Sequence, residues 1–204
     1  MRKFLLSILF IGLAVYANAQ RNNRINLSID FGLGVASSEI EDDRQGRVLA
    51  DLGFGAEYAR IFDSGFLAGG GIQAGSRSLG WIKTIGSTNY TYITEGGYFA
   101  LYPLIGYAYG NNQNTQVLVQ PLKIDSTSVT KIEVQNDGST VMTDTKTRNF
   151  IMYKTGVYYS KQWGKNLLRN GFIFGGDIVW TSSGDFKKSS GLELLIGYKL
   201  SFGF

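Results

Sequence analysis

From Ile25 onward, apolar and polar residues alternate. Ile25, Leu27, Ile29, Phe31, Leu33 and Val35 fall on one parity, and Asn26, Ser28, Asp30, Gly32 and Gly34 on the other, the period-two pattern of a strand with one oily face. The pattern returns over residues 48–60, where Val48, Ala50, Leu52, Phe54, Ala56 and Tyr58 oppose Asp51, Gly53, Gly55 and Glu57. It returns again over 192–204, where Leu192, Leu194, Ile196, Tyr198, Leu200, Phe202 and Phe204 oppose Glu193, Leu195, Gly197, Lys199, Ser201 and Gly203. Noisier segments at 66–78, 92–109, 115–134, 144–160 and 170–181 complete a set of eight predicted strands. In the sixth, Ile151, Tyr153, Val157 and Tyr159 oppose Arg148, Lys154 and Gly156; in the seventh, Phe172, Phe174, Ile178 and Trp180 oppose Gly175 and Asp177. The fourth carries apolar residues on both parities, with Gly96-Gly97 able to host a bulge, and Pro121 interrupts the fifth.

The connections alternate in length. Turns near Asp63-Ser64-Gly65, 110–114 and 161–166 are short, whereas 36–47, 79–91, 135–143 and 182–190 read as longer loops at the opposite end. Short turns on one side, longer loops on the other and an even strand count predict an all-β fold: an eight-stranded antiparallel up-and-down transmembrane β-barrel. A soluble barrel of the lipocalin sort would alternate too, with its apolar face inside. Strands of 12 or more residues exceed the soluble mode of about 5 to 6 and meet the membrane requirement of about 9 to 11. The polar face is mostly Gly, Ser and Asn with a few charges, which suits a narrow lumen. Aromatics gather near strand ends: Trp81, Tyr90, Tyr92, Trp180 and Phe186 at the loop side, and Phe62, Phe66, Tyr107, Tyr109, Trp163, Phe202 and Phe204 at the turn side, as two interfacial girdles require. No amphipathic helix offers a cap for a soluble barrel.

Residues 1–20 begin with Arg2 and Lys3, continue through an apolar stretch from Phe4 to Tyr16, and end in an Ala17-x-Ala19 pattern. This predicts a secretory signal peptide over 1–19 and a mature barrel domain over 20–204, exported to a Gram-negative-type cell outer membrane. No cysteine near the cleavage point offers a lipid attachment.

Composition narrows the chemistry. The 204 residues contain no Cys and no His, which removes disulfides, thiolate zinc sites, Cys nucleophiles and His bases. The 27 glycines are about twice the usual share. A formal charge of +4 is too small and dispersed to point to nucleic acid. Ser128-Val129-Thr130-Lys131 matches S-x-x-K, but that pairing needs one helical turn and these residues favour a strand. Residues 69–74 fit G-x-G-x-x-A without a surrounding β-α-β unit, so the glycines are read as thinning a curved wall.

The signal peptide, eight long alternating strands and terminal aromatic resemble the small outer-membrane β-barrel family of OmpA/OmpX type, also described as porin-family proteins. The resemblance spans 20–204 and implies that the last strand, with Tyr198, Leu200, Phe202 and Phe204, serves as an assembly signal for the barrel-insertion machinery. A small residue expected near Lys199 stands instead at Gly197, so that match is partial. Residues 98–105 are similar to an aromatic-x-x-x-x-Pro-Leu strand of such barrels. With the chain ending at Phe204, the periplasmic cell-wall-binding domain that longer relatives carry is not expected. Enzymes of the family are understood to use histidine, which this chain lacks.

The predicted lumen carries Asp30, Asp51, Glu57, Gln73, Arg77, Glu95, Arg148, Lys154, Asp177, Glu193 and Lys199, which should pair because an unpaired buried ion costs several kcal/mol. The loops carry an acidic cluster, Glu39, Glu41, Asp42 and Asp43, whose spacing lacks a calcium-loop order and is read as a solvated loop. Arg44, Arg47, Lys187 and Lys188 could meet lipid phosphates or simply solubilise the loops. The expectation is a non-enzymatic barrel without catalytic residues, metal or cofactor, contributing to envelope integrity or surface interaction. Its expected partners are outer-membrane lipids, lipopolysaccharide and the barrel-assembly machinery. The alternatives are a small-solute or ion pore and a secreted lipocalin-like carrier.

Overall fold

The computed structural model describes residues 23–40, 43–165, 167–181 and 190–204. Among them are nine strands: β1 (Asn23–Ile40), β2 (Asp43–Ile61), β3 (Phe66–Ile85), β4 (Thr88–Tyr109), β5 (Thr115–Asn136), β6 (Ser139–Asp144), β7 (Arg148–Lys165), β8 (Leu168–Thr181) and β9 (Ser190–Gly203). All pairings are antiparallel, and the order β4-β3-β2-β1-β9-β8-β7-β5 closes through β4–β5, so eight strands make the barrel. The sixth predicted strand starts later: the wall strand β7 begins at Arg148 rather than at 144, and Asp144 ends β6, which among the described residues pairs with the far end of β5.

Paired residues trace a ring from Asn23 through Arg60, Ala68, Ile105, Val119, Val157, Gly176 and Leu194 back to Leu33. The return lies ten residues further along β1. That stagger inclines the strands by roughly 40° to the barrel axis. At about 3.3 Å per residue, β3 and β4 then rise about 50 Å, roughly twice the ~25 Å that a membrane belt needs. The excess stands at one end. Of the segments expected as loops, 36–40 with 43–47, 79–91 and 135–143 continue as paired strands, with two-residue turns at 86–87 and 137–138. The cross-strand pairs Trp81–Tyr92, stacked at 5.0 Å, and Thr84–Asn89, hydrogen bonded at 2.7 Å, keep the β3–β4 ribbon extended. At the terminal end the turns are short, though β7 runs to Lys165, through most of the 161–166 segment read from sequence as a turn.

Polarity is inverted relative to a soluble protein. The outward parity of β1, β8 and β9 is apolar and exposed, Leu194 at 73% and Val35 at 63%, while inward Lys199 is 0% exposed. Phe62, Phe66, Tyr107, Tyr109, Trp163 and Phe202 are exposed around the terminal end, with edge-on contacts Trp163–Phe172 and Phe172–Tyr198. The other girdle is reduced. Trp180 stacks on Tyr153 at the outer wall, but Trp81 shares the parity of Arg77 and turns inward, 9% exposed, with the Arg47 guanidinium 4.9 Å from its ring. Tyr92 packs on the same inner cluster and Tyr90 lies on its parity, so these three do not form a lipid-facing ring. Phe186 lies outside the described residues.

The ladder is weakest between β4 and β5. Pairing stops at Leu101–Ile124 and resumes at Ile105–Val119, leaving Pro103 on one side and Pro121 on the other. Pro121 and Leu122 also bulge against Thr155, whose hydroxyl donates to the Pro121 carbonyl at 2.8 Å. Proline has no N–H to leave unpaired, so this break in the wall forfeits fewer hydrogen bonds than it would with other residues. β5 continues through the bulge instead of ending there. A second shift, at Glu95/Gly96, places the extra residue on β5 at Thr130, while β4 keeps its alternation through Gly96-Gly97, where a bulge was expected.

Candidate functional site: a sealed ionic lumen

Three layers fill the barrel. Toward the ribbon end, Leu49, Leu79, Trp81, Val129, Ile132, Phe150, Met152 and Val179 form an apolar plug inside the lumen. Toward the terminal end, Ala59, Ile61, Leu67, Leu104, Ala108, Leu118 and Ile173 form a second plug with Tyr158. Between them lies an ionic core. The terminal mouth is closed by the 3-10 turn at Asn111–Gln113, where Asn112 and Gln113 adopt positive φ. Arg169 Nη1 donates to the Asn112 carbonyl at 2.6 Å, and Arg24 Nη1 to the side chain of Gln162 at 3.2 Å and the Gln113 carbonyl at 3.5 Å.

The core is built by alternation from strands on all sides. Arg77 on β3 makes a two-pronged pair with Asp51 on β2 at 2.6 and 2.7 Å and another with Asp125 on β5 at 2.6 and 2.9 Å, and donates also to Thr127. Its guanidinium lies 4.4 Å from the Tyr98 ring. Lys154 on β7 reaches Asp51 at 2.8 Å and Glu193 on β9. Lys199 on β9 meets Glu57 on β2 at 2.6 Å, and Glu57 also accepts from Tyr102 and Asn26. Lys123 on β5 donates to Gln73 on β3, which donates to Asp30 at 3.0 Å. Tyr158 donates to Asp177. These bonds tie the wall strands to one another across the axis, and bidentate charged bonds of this kind are the strongest available to side chains.

Asp30, Asp51, Glu57, Arg77, Lys154, Asp177, Glu193 and Lys199, expected from sequence in the lumen, are all buried there. Two expected lumen charges are elsewhere. Glu95 faces outward on the ribbon, its side chain 63% exposed and 3.8 Å from Lys131; Arg148 sits half-buried at the rim and pairs with Asp144 at 2.9 Å. Glu95 shares the outward parity of the exposed Phe99 and Leu101, beside the inward, buried Thr94, whereas Arg148 keeps the inward parity of Phe150 but lies two residues beyond it, at the rim. Arg47, expected in an external loop, is buried under Trp81 because odd residues of β2 point inward. The acids at 41–42 and Lys187 and Lys188 lie outside the described residues, and nothing is described of the side chains of Glu39, Asp43 and Arg44. On the ribbon surface, a hydrogen bond from Lys131 holds the Glu133 carboxyl below its ordinary range and raises the Lys131 ammonium in return.

Lys123, Asp125 and Thr127 were not expected in the core. They alternate as polar residues should, but the Pro121 bulge shifts their parity relative to Val117 and Val119, which face outward. Ser128 and Lys131 of the S-x-x-K match lie on the extended β5, and 69–74 lies within β3, with no helix following either.

Two small cavities are described inside the lumen. A polar cavity of about 10 Å³ is lined by Asp30, Gln73, Gln120, Lys123 and Lys199, and an apolar one of about 20 Å³ by Leu49, Leu79, Phe150 and Met152. The first has room for about one water, which would serve Asp30 Oδ1, buried without a hydrogen-bond partner among the described residues. Among those residues no group of three or more acidic side chains is arranged to hold a metal ion.

Several solved structures are similar in chain path. They include Neisserial surface protein A (10% identity, 88% of this chain and 97% of that one, TM-score 0.39). A second is Ail, the attachment invasion locus protein of Yersinia pestis, in complex with the heparin analogue sucrose octasulfate (9%, 89% and 99%, TM-score 0.46). A third is the outer membrane protease OmpT from Escherichia coli (8%, 90% and 97%, TM-score 0.39). No family model matches the chain, and no curated protein matches it.

Proposed function

We propose that this chain is an integral outer-membrane β-barrel without enzymatic activity, contributing to envelope integrity or surface interaction through the ribbon it raises beyond the bilayer. The observation that carries this reading is the inverted polarity: an apolar outer belt over a lumen packed with paired charges. A barrel filled in this way is a stiff pillar rather than a conduit. In this reading the terminal end faces the periplasm, the signal peptide over 1–19 directs export, and the outward Tyr198, Leu200 and Phe202 with Phe204 present the assembly signal to the insertion machinery. Outer-membrane phospholipid and lipopolysaccharide surround the belt.

The two plugs and cavities of about 10 and 20 Å³ argue against an ion or solute pore. A lipocalin-like carrier would need the apolar residues inside. The test is threefold. The protein should fractionate with membranes, migrate faster on a denaturing gel unheated than boiled, and leave planar bilayers electrically silent. Solubility without detergent would defeat the membrane reading, and discrete conductance steps would defeat the sealed lumen.

A further inference from the structure

Between the two edges of the belt, the outward parity carries two charged side chains among the described residues, Arg60 and Lys161. Both are basic, and both lie at the terminal edge. Their settings differ. Arg60 is exposed and leans on the Phe62 ring at 5.4 Å. The Lys161 ammonium is held in place: it donates to Thr115 Oγ1 at 2.8 Å and to Asn114 Oδ1 at 3.2 Å, and the Thr115 hydroxyl donates to the same Asn114 oxygen at 3.1 Å. An ammonium has three donors, so one remains for an outside acceptor. No carboxylate pairs with Lys161 among the described residues.

The surroundings fit an amphiphile. Tyr109, Thr115 and Lys161 are in register across β4, β5 and β7, so with strands about 4.8 Å apart the tyrosine and lysine backbones stand about 10 Å from each other. Trp163, two residues on, is 49% exposed and Tyr109 44% exposed. Tyr159, on the membrane side, packs against Phe174 with the rings 5.0 Å apart and tilted, while the lysine stem carries its ammonium to Asn114 and Thr115 at the turn. A fixed positive charge between an indole and a phenol at the water edge of an apolar wall matches a lipid phosphate with its acyl chains against the belt.

We propose that Lys161, with Thr115, Asn114, Tyr109 and Trp163 around it, is a headgroup site for an anionic phospholipid of the periplasmic leaflet. It rests on the membrane reading above. The experiment reconstitutes the full barrel in phosphatidylcholine vesicles containing phosphatidylglycerol, then measures retained phosphatidylglycerol by native mass spectrometry after mild detergent extraction. Lys161→Gln should lower retention about fivefold, the effect of one basic residue at a membrane surface, while Lys161→Arg keeps most of it and shows that the site tolerates substitution. Arg60→Gln removes an equal charge at the same level without the oxygen cradle and should change retention little. Unchanged retention in Lys161→Gln, or an equal loss in Arg60→Gln, would overturn the site while leaving the barrel reading intact. A chain that failed to float with vesicles would overturn both.

Discussion

Arg77→Met is the sharpest perturbation of the lumen. Arg77 donates five side-chain hydrogen bonds, two to Asp51, two to Asp125 and one to Thr127. Its loss is not shared evenly. Asp51 keeps Lys154 at 2.8 Å, but Asp125, fully buried, keeps among the described residues only the Thr127 hydroxyl, at 2.8 Å. Removing one partner of a buried ion pair costs about 3–5 kcal/mol, a large part of the 5–15 kcal/mol typical of folded domains. Arg77→Lys keeps the charge but cannot grip two carboxylates side by side, so its cost should be smaller, about 1.5–3 kcal/mol. Adding Asp125→Asn to Arg77→Met removes the stranded charge and should restore about 1–3 kcal/mol. Urea titration in phosphatidylcholine vesicles, followed by tryptophan emission and by the gel shift, measures all three. A loss below about 1 kcal/mol for Arg77→Met, or a double variant no better than the single one, would show that the ionic core does not hold the barrel together.

The wall itself makes two further predictions. A Cβ on Gly75 would point into the lumen 2.0 Å from the Leu52 carbonyl, so Gly75→Ala should destabilise by about 1–3 kcal/mol, readable as a lower urea midpoint; an unchanged midpoint would mean that the strands can spread there at no cost. In hydrogen exchange followed by mass spectrometry, amides flanking the Pro103–Pro121 break should exchange before those of β1 and β9, which pair without interruption; uniform protection around the belt would contradict a weak seam.

The fold was legible where two solvents differ most. On β1, β2 and β9 one face meets lipid and the other an ionic lumen, so Ile25 to Val35 and Leu192 to Phe202 alternate cleanly. Legibility fails for three physical reasons. Bulges change parity, which hid Lys123 and Asp125 behind Pro121. The lumen is not polar throughout, so Leu49, Leu79, Val129 and Met152 blur the pattern from inside, and Trp81, which resembles a girdle residue by type, belongs to their plug by parity. Above the belt the outer face meets water while the inner face turns apolar at Leu79 and Trp81, so the strand extensions at 36–40, 43–47 and 79–91 read as loops, and Glu95, on the outward parity, and Arg148, at the rim, read as lumen charges. Of the candidate site, the charged residues were visible singly, but their partners depend on the ten-residue stagger, which local pattern does not encode.

Because the chain contains no cysteine, single cysteines placed along β9 can report which face meets lipid. With the protein in phosphatidylcholine vesicles, a thiol reagent confined to the acyl region should modify Leu194→Cys and Ile196→Cys and spare Leu195→Cys and Gly197→Cys. Modification of the odd positions with the even ones spared would turn the wall inside out and contradict the account at its root.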